Sequence, residues 1–120
     1  MNEIKTIGMI GLGKMGCPLT KHLVAKDYRV VGYDVAAAAC DEAKAGGARI
    51  VGSPREVAAA SDLVIVVVGF DREVEVAIFG ANGIAEAAKP GLVVAIGSTV
   101  APRFAKRIGP RVEAAKMVPR

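Results

Sequence analysis

The sequence predicts an α/β fold: a Rossmann-type doubly wound parallel sheet in a single domain. Three observations carry that prediction. Short apolar runs alternate with helix-like segments along all 120 residues, the pattern of parallel strands joined by crossover helices. A glycine-rich turn, "GLGKMG", separates the first apolar run from the first helical segment. The run "LVIVVV" (residues 63–68) is apolar at every position, as expected of a strand covered on both faces.

Taken in order, "IKTIGMI" (Ile4 to Ile10) reads as the first strand. After the glycines, Met15, Leu19 and Leu23 recur at four-residue steps and predict a helix with one apolar stripe. Pro18 fits the first turn, where its missing N–H would have had no helical partner. "YRVVGYD" (Tyr28 to Asp34) is the second strand, and the alanine-rich stretch from Ala36 to Ala45 is a helix closed by Gly46 and Gly47. "ARIV" (Ala48 to Val51) is a short third strand. Ser53, Pro54 and Glu56 form a capping box at the start of the next helix. Ser61 and Asp62 turn the chain into the central strand. A helix then spans roughly Arg72 to Phe79 and ends at Gly80, and the turns "ANG" and "KPG" flank a short helical piece. "LVVAI" (Leu92 to Ile96) is a fifth strand, and the last helix carries Phe104 and Ile108 on one face. Gly109-Pro110 is expected to kink or end that helix. The closing "EAAKMVPR" shows no turn and no returning strand.

Composition narrows the function classes. With 52% hydrophobic and 23% charged residues the chain is globular. No apolar run reaches the ~18 residues of a membrane span, and "MNEIK" has none of the features of a secretory signal. A cytoplasmic protein without a membrane partner is expected. The net charge of +4 lies in the last twenty residues, which hold Arg103, Lys106, Arg107, Arg111, Lys116 and Arg120 against Glu113, so the rest is close to neutral. Two Tyr, three Phe and no Trp give little to stack on bases, and no nucleic-acid partner is expected. Cys17 and Cys40 have no metal-type spacing and read as free thiols. His22 has no carboxylate at a telling spacing and reads as a packing or surface residue.

The glycines carry the chemistry. Binding a dinucleotide pyrophosphate requires backbone N–H groups and a positive helix end after the first strand. Gly11 allows the tight turn, Gly13 admits the phosphates, and Gly16 lets the helix pack closely on its strand. A second requirement is an acid about 20 residues on, to accept hydrogen bonds from the adenosine ribose. Asp34 ends "VVGYD" at that place. Its carboxylate would repel a 2′-phosphate, and "VAAAA" after it offers no Arg, so NAD is favoured over NADP. A flavin dinucleotide or a nucleotide sugar is compatible with the glycines alone, and Asp34 could equally cap the helix after it. Ser98 and Thr99 follow the fifth strand at its carboxyl end, where such sheets bind ligands, although either could cap the last helix.

The segments "GMIGLGKMGCPLTKHL", "VVGYDV", "GARIVGSPREVAAASDLVIVVV" and "IAEAAKPGLVVAIGSTVAP" together resemble the N-terminal half of the β-hydroxyacid dehydrogenases. That family includes 3-hydroxyisobutyrate dehydrogenase, tartronate semialdehyde reductase and, more distantly, 6-phosphogluconate dehydrogenase. The resemblance implies that Gly11, Leu12, Gly13, Lys14, Met15 and Gly16 hold the pyrophosphate and Asp34 the adenosine ribose. It places Val67, Val68 and Gly69 along the nicotinamide riboside, and Ser98 and Thr99 at the nicotinamide. Gly69-Phe70 departs from the family, which often has a proline and a small polar residue there. The resemblance also implies that a helical second domain with a catalytic lysine follows in relatives. Lys14, Lys21, Lys89 and Lys116 match no catalytic motif. The expectation is therefore the NAD-binding part of an oxidoreductase acting on a small 3-hydroxy acid, inactive by itself. The apolar surface such a second domain would cover could lead the chain to form a homo-oligomer. The alternative is a stand-alone NAD-binding or partner-binding module.

Overall fold

The computed structural model describes residues 4–69, 71–87, 89–97, 102–115 and 117–119. The first strand, β1 (Thr6–Ile10), is followed by α1 (Gly16–Ala25), β2 (Arg29–Tyr33), α2 (Ala37–Ala45), β3 (Arg49–Ile50) and α3 (Pro54–Ala60). The second half runs β4 (Leu63–Val66), α4 (Asp71–Phe79), a 3₁₀ turn at Ile84–Glu86, β5 (Val93–Ile96), α5 (Pro102–Ala114) and β6 (Val118–Pro119). All strand pairs are parallel, and the sheet order is β3-β2-β1-β4-β5-β6. Connections from β1 wind to one side and those from β4 to the other. The carboxyl ends of β1 and β4 therefore meet where the winding reverses, the place at which doubly wound sheets open a ligand crevice.

Alternation along the strands produces two cores, one on each face. Ile10, Val31, Val64, Val66 and Val94 pack with α3, α4 and α5 through Val57, Val74, Ile78, Ile108 and Val112. Met9, Leu12 and Val30 face the other way, against Ala43, Leu19, Leu23 and Val24 of α1 and α2. The uninterrupted apolar run in β4 follows from this. Val64 and Val66 belong to the first core while Ile65 and Val67 border the second. The capping box is present: Ser53 Oγ accepts from Glu56 N at 3.3 Å, and Glu56 Oε2 accepts from Gly52 N at 2.6 Å.

Three expectations are corrected. The stripe on α1 holds only in part: Leu19 and Leu23 are half-buried against the second core, but Met15 is not. Gly16, Cys17 and Thr20 are buried there, whereas Met15 is 65% exposed, because the helix start looks into a cleft rather than onto the sheet. The last helix does not end at Gly109-Pro110 but continues to Ala114. Pro110 is exposed, while Ile108 and Val112 on either side of it are buried in the core. That packing offsets the one helical hydrogen bond a proline removes. The chain also does return: Met117 is buried and β6 pairs with β5 through Val93↔Val118 and Val94↔Pro119, making a sixth strand. The side chain of Phe104 lies outside what the structure describes.

The basic C-terminal segment is partly consumed by this packing. Glu75 of α4 faces both Arg107 (3.7 Å) and Arg111 of α5, and the Arg111 guanidinium lies 4.4 Å from the Phe79 ring centre. Among the described residues, no helix is long and apolar enough to cross a membrane.

At the amino ends of the strands, Asp62 Oδ2 accepts from Lys5 N and Thr6 N, both at 3.0 Å. These two bonds hold the Asp62 carboxyl below its ordinary value of 3.8, with Lys89 and Lys5 adding attraction. A carboxyl held lower in the folded state stabilises above its ordinary pKa, and that contribution fades as pH falls through the folded value. Asp62→Ala is expected to melt a few degrees below the parent at pH 7, with the gap closing below about pH 4. Thermal melts across pH 7 to 2.5 check this, and a gap independent of pH would contradict it.

Candidate functional site

The turn after β1 is shaped by close backbone approaches. Gly11 has φ +100°, and a Cβ there would overlap the Val67 carbonyl oxygen at the end of β4. A Cβ on Gly16 would overlap the Gly11 carbonyl. Gly16 thus lets the helix start close onto its own turn rather than onto the strand. Gly13 is different, since a Cβ there would meet no atom within 4 Å. The middle glycine borders open space.

The end of β2 holds this turn in place. Gly11 N donates to Tyr33 O at 3.0 Å, continuing the β1–β2 ladder by one residue. Leu12 N donates to Asp34 Oδ2 at 2.7 Å. The other carboxylate oxygen, Oδ1, accepts from Ala36 N at 2.8 Å, and the Asp34 carbonyl accepts from Cys40 Sγ at 3.3 Å. Leu12 is buried, and its side chain packs over Gly32, where a Cβ would lie 3.1 Å from Leu12 Cδ2. Among the described residues, the next amides, those of Gly13, Lys14 and Met15, donate to no protein acceptor. Three consecutive free N–H groups at the positive end of α1 are an arrangement that suits an anion.

These groups line a cleft of about 820 Å³, a size suited to a cofactor. Gly11, Gly13, Lys14 and Met15 form one wall, Tyr33, Asp34 and Val35 another, and Val67, Val68 and Gly69 the floor. The structure therefore brings together the predicted residues of three separate segments. Leu12 stands behind them in the core, contributing its amide to Asp34 rather than its side chain to the cleft. Ser98 and Thr99 lie outside the described residues, as does Phe70. Gly97, just before Ser98, donates to Val66 O at 2.9 Å, which keeps the end of β5 beside the end of β4.

The first turn of α4 adds residues that sequence reasoning missed. Arg72, Glu73 and Val76 line the cleft opposite the glycines. Glu73 Oε2 accepts from Gly69 N at 3.2 Å and so fixes the β4–α4 turn. Among the described residues, Arg72 and Lys14 have no ion-pair partner. Val35, 90% exposed beside Asp34, offers an apolar surface at the mouth. No periodicity marks these positions, because they are joined only by the crossing of elements. Other candidates are placed elsewhere. Lys21 pairs with Glu42 at 3.5 Å on the α1–α2 surface, Lys89 neighbours Asp62 at the opposite end of the strands, and His22 is exposed. Lys116 lies outside the described residues. Cys17 is a buried free thiol and Cys40 a half-buried one.

The chain is similar to known proteins over nearly its whole length. Residues 6–118 match the family model described as the NAD binding domain of 6-phosphogluconate dehydrogenase. The chain is 36% identical over 107 residues to human mitochondrial 3-hydroxyisobutyrate dehydrogenase, covering 89% of this chain and 32% of that protein. It is 33% identical to the L-threonate dehydrogenase of Cupriavidus necator, covering 90% of this chain and 36% of that one. The structure of Mycobacterium tuberculosis 3-hydroxyisobutyrate dehydrogenase with L-serine superposes with a TM-score of 0.90 at 28% identity, over 98% of this chain and 39% of that one. The chain thus spans about a third of the length of the curated relatives it matches.

The glycines separate stability from binding. Gly11→Ala is expected to cost at least about 2 kcal/mol, from the positive φ and the overlap with Val67 O. Gly13→Ala is expected to stay within about 0.5 kcal/mol of the parent. Urea unfolding of both variants checks this, and equal losses would refute the assignment.

Proposed function

The chain belongs to the family of NAD-binding domains of 6-phosphogluconate dehydrogenase, and from that premise we propose that it holds NAD for a dehydrogenase oxidising a small 3-hydroxy acid. The observation that carries the proposal is the run of free amides from Gly13 to Met15 beside Asp34. The pyrophosphate fits those amides and the positive end of α1, and Gly13 leaves it room. The Asp34 oxygens each retain acceptor capacity for the ribose hydroxyls. Val35 gives the adenine an apolar surface, while Val67, Val68 and Gly69 border the nicotinamide riboside, with Ser98 and Thr99 assigned to the nicotinamide. NAD supplies the hydride acceptor. The chain's own part is to bind and orient it and to exclude water from the floor formed by β4.

NAD rather than NADP follows from charge. A 2′-phosphate at the ribose would face the Asp34 carboxylate, and Val35, Ala36 and Ala37 provide no cation. We assign the proton transfer, by a lysine, and the selection of the hydroxy acid to the part of the relatives' length that this chain does not match. The 120-residue chain is therefore proposed to bind cofactor without turnover.

Calorimetric titration is expected to show NAD binding at least about tenfold tighter than NADP. Asp34→Ala should narrow that ratio by weakening NAD more than NADP. Absence of heat with both cofactors, or tighter binding of NADP, would overturn the reading. Steady turnover of 3-hydroxyisobutyrate by the chain alone would overturn the division of labour.

A further inference from the structure

The proposed reading gives Asp34 one task, accepting hydrogen bonds from the ribose. The structure gives its carboxylate two bonds that no ribose is needed to make. Oδ2 takes the Leu12 amide at 2.7 Å and Oδ1 takes the Ala36 amide at 2.8 Å, so one side chain ties the glycine turn to the start of α2. Leu12 is then fixed twice, by its amide to Asp34 and by its side chain over Gly32. Beyond Leu12 the next three amides are free and belong to residues that line the cleft. We propose that Asp34 is a positioning residue for the pyrophosphate: it holds the Leu12 amide so that the amides of Gly13, Lys14 and Met15 present themselves together to the phosphates.

The physical reason is competition for donors. A turn with four free amides can rotate any of them toward water or toward a neighbouring carbonyl. Binding an anion would then include the cost of ordering the turn. A carboxylate acceptor makes one of the stronger hydrogen bonds available to an amide, and it removes the Leu12 donor from that competition. Gly11 N is removed in the same way by Tyr33 O. The turn is preorganised before ligand arrives, and the second lone pairs of the same two oxygens remain for the ribose.

This inference rests on the dinucleotide reading and predicts something that reading alone does not. A negative charge near a diphosphate repels it, so an Asp34 that acted only through the ribose would weaken any ligand lacking ribose hydroxyls, and its removal would strengthen such a ligand. Positioning through Leu12 reverses that sign. The test is titration of the 120-residue chain and its Asp34→Asn and Asp34→Ala variants with ADP and with 2′,3′-dideoxy-ADP, whose ribose has no hydroxyls to offer. Asp34→Ala is expected to bind dideoxy-ADP about fivefold more weakly than the parent, with Asp34→Asn, which keeps one acceptor oxygen, in between. Dideoxy-ADP binding that is unchanged or tighter in both variants overturns the inference. Amide hydrogen exchange in the absence of ligand gives a second readout. Leu12 should exchange faster in Asp34→Asn while Gly8 in β1 keeps its protection, and an unchanged Leu12 rate overturns the inference even if Asp34→Ala does not fold. A parent chain that binds neither NAD nor ADP would instead refute the dinucleotide reading itself.

Discussion

Two hydrogen bonds at the end of β2, from Gly11 N to Tyr33 O and from Leu12 N to Asp34, are the constraint on which the site depends. They decide which amides of the glycine turn are bonded within the protein and which stay free. Everything around them serves that division. Parallel pairing of β1 with β2 sets Ile10 opposite Tyr33, so the two strands end together and the turn begins beside the acid. The positive φ of Gly11 then directs the chain under Val67 and into α1.

The rest of the fold makes that arrangement rigid. A sheet packed on both faces cannot shift a strand without disturbing two cores. α4 is held to α5 by Glu75 between Arg107 and Arg111, and β1 is held at its other end by Asp62. The cleft therefore lies between elements anchored elsewhere, and the ends of β1, β2 and β4 contribute backbone to its lining. Backbone donors suit an anion whose position must be fixed before chemistry, since they lose little freedom on binding.

Much of this was legible in the sequence because it depends on spacing. The interval from Gly13 to Asp34 is one helix and one strand, so the acid's place followed from counting. The capping box at Ser53 and the two-faced run at residues 63–68 were also local patterns with local causes. What could not be read depends on elements meeting. Met15 fits a helical stripe by periodicity, yet the helix start faces a cleft that no single-helix pattern reveals. Pro110 ordinarily stops a helix, and only the burial of Ile108 and Val112 shows why this one continues. A two-residue strand at Val118–Pro119 is too short to leave a period of its own. Arg72 and Val76 enter the site because α4 crosses the mouth, and the second role of Asp34 required seeing which amides it accepts.

The central claim is that a dinucleotide lies with its pyrophosphate on the free amides of the glycine turn. The most direct measurement is backbone amide chemical-shift mapping of the 120-residue chain during addition of NAD. The account predicts that Gly13, Lys14 and Met15 shift most, that Val35 and the residues 67–69 shift with the same saturation, and that Lys5 and Asp62 at the far end of the strands stay in place. Shifts centred away from the turn, or a saturable response that leaves Gly13 to Met15 unmoved, would contradict it.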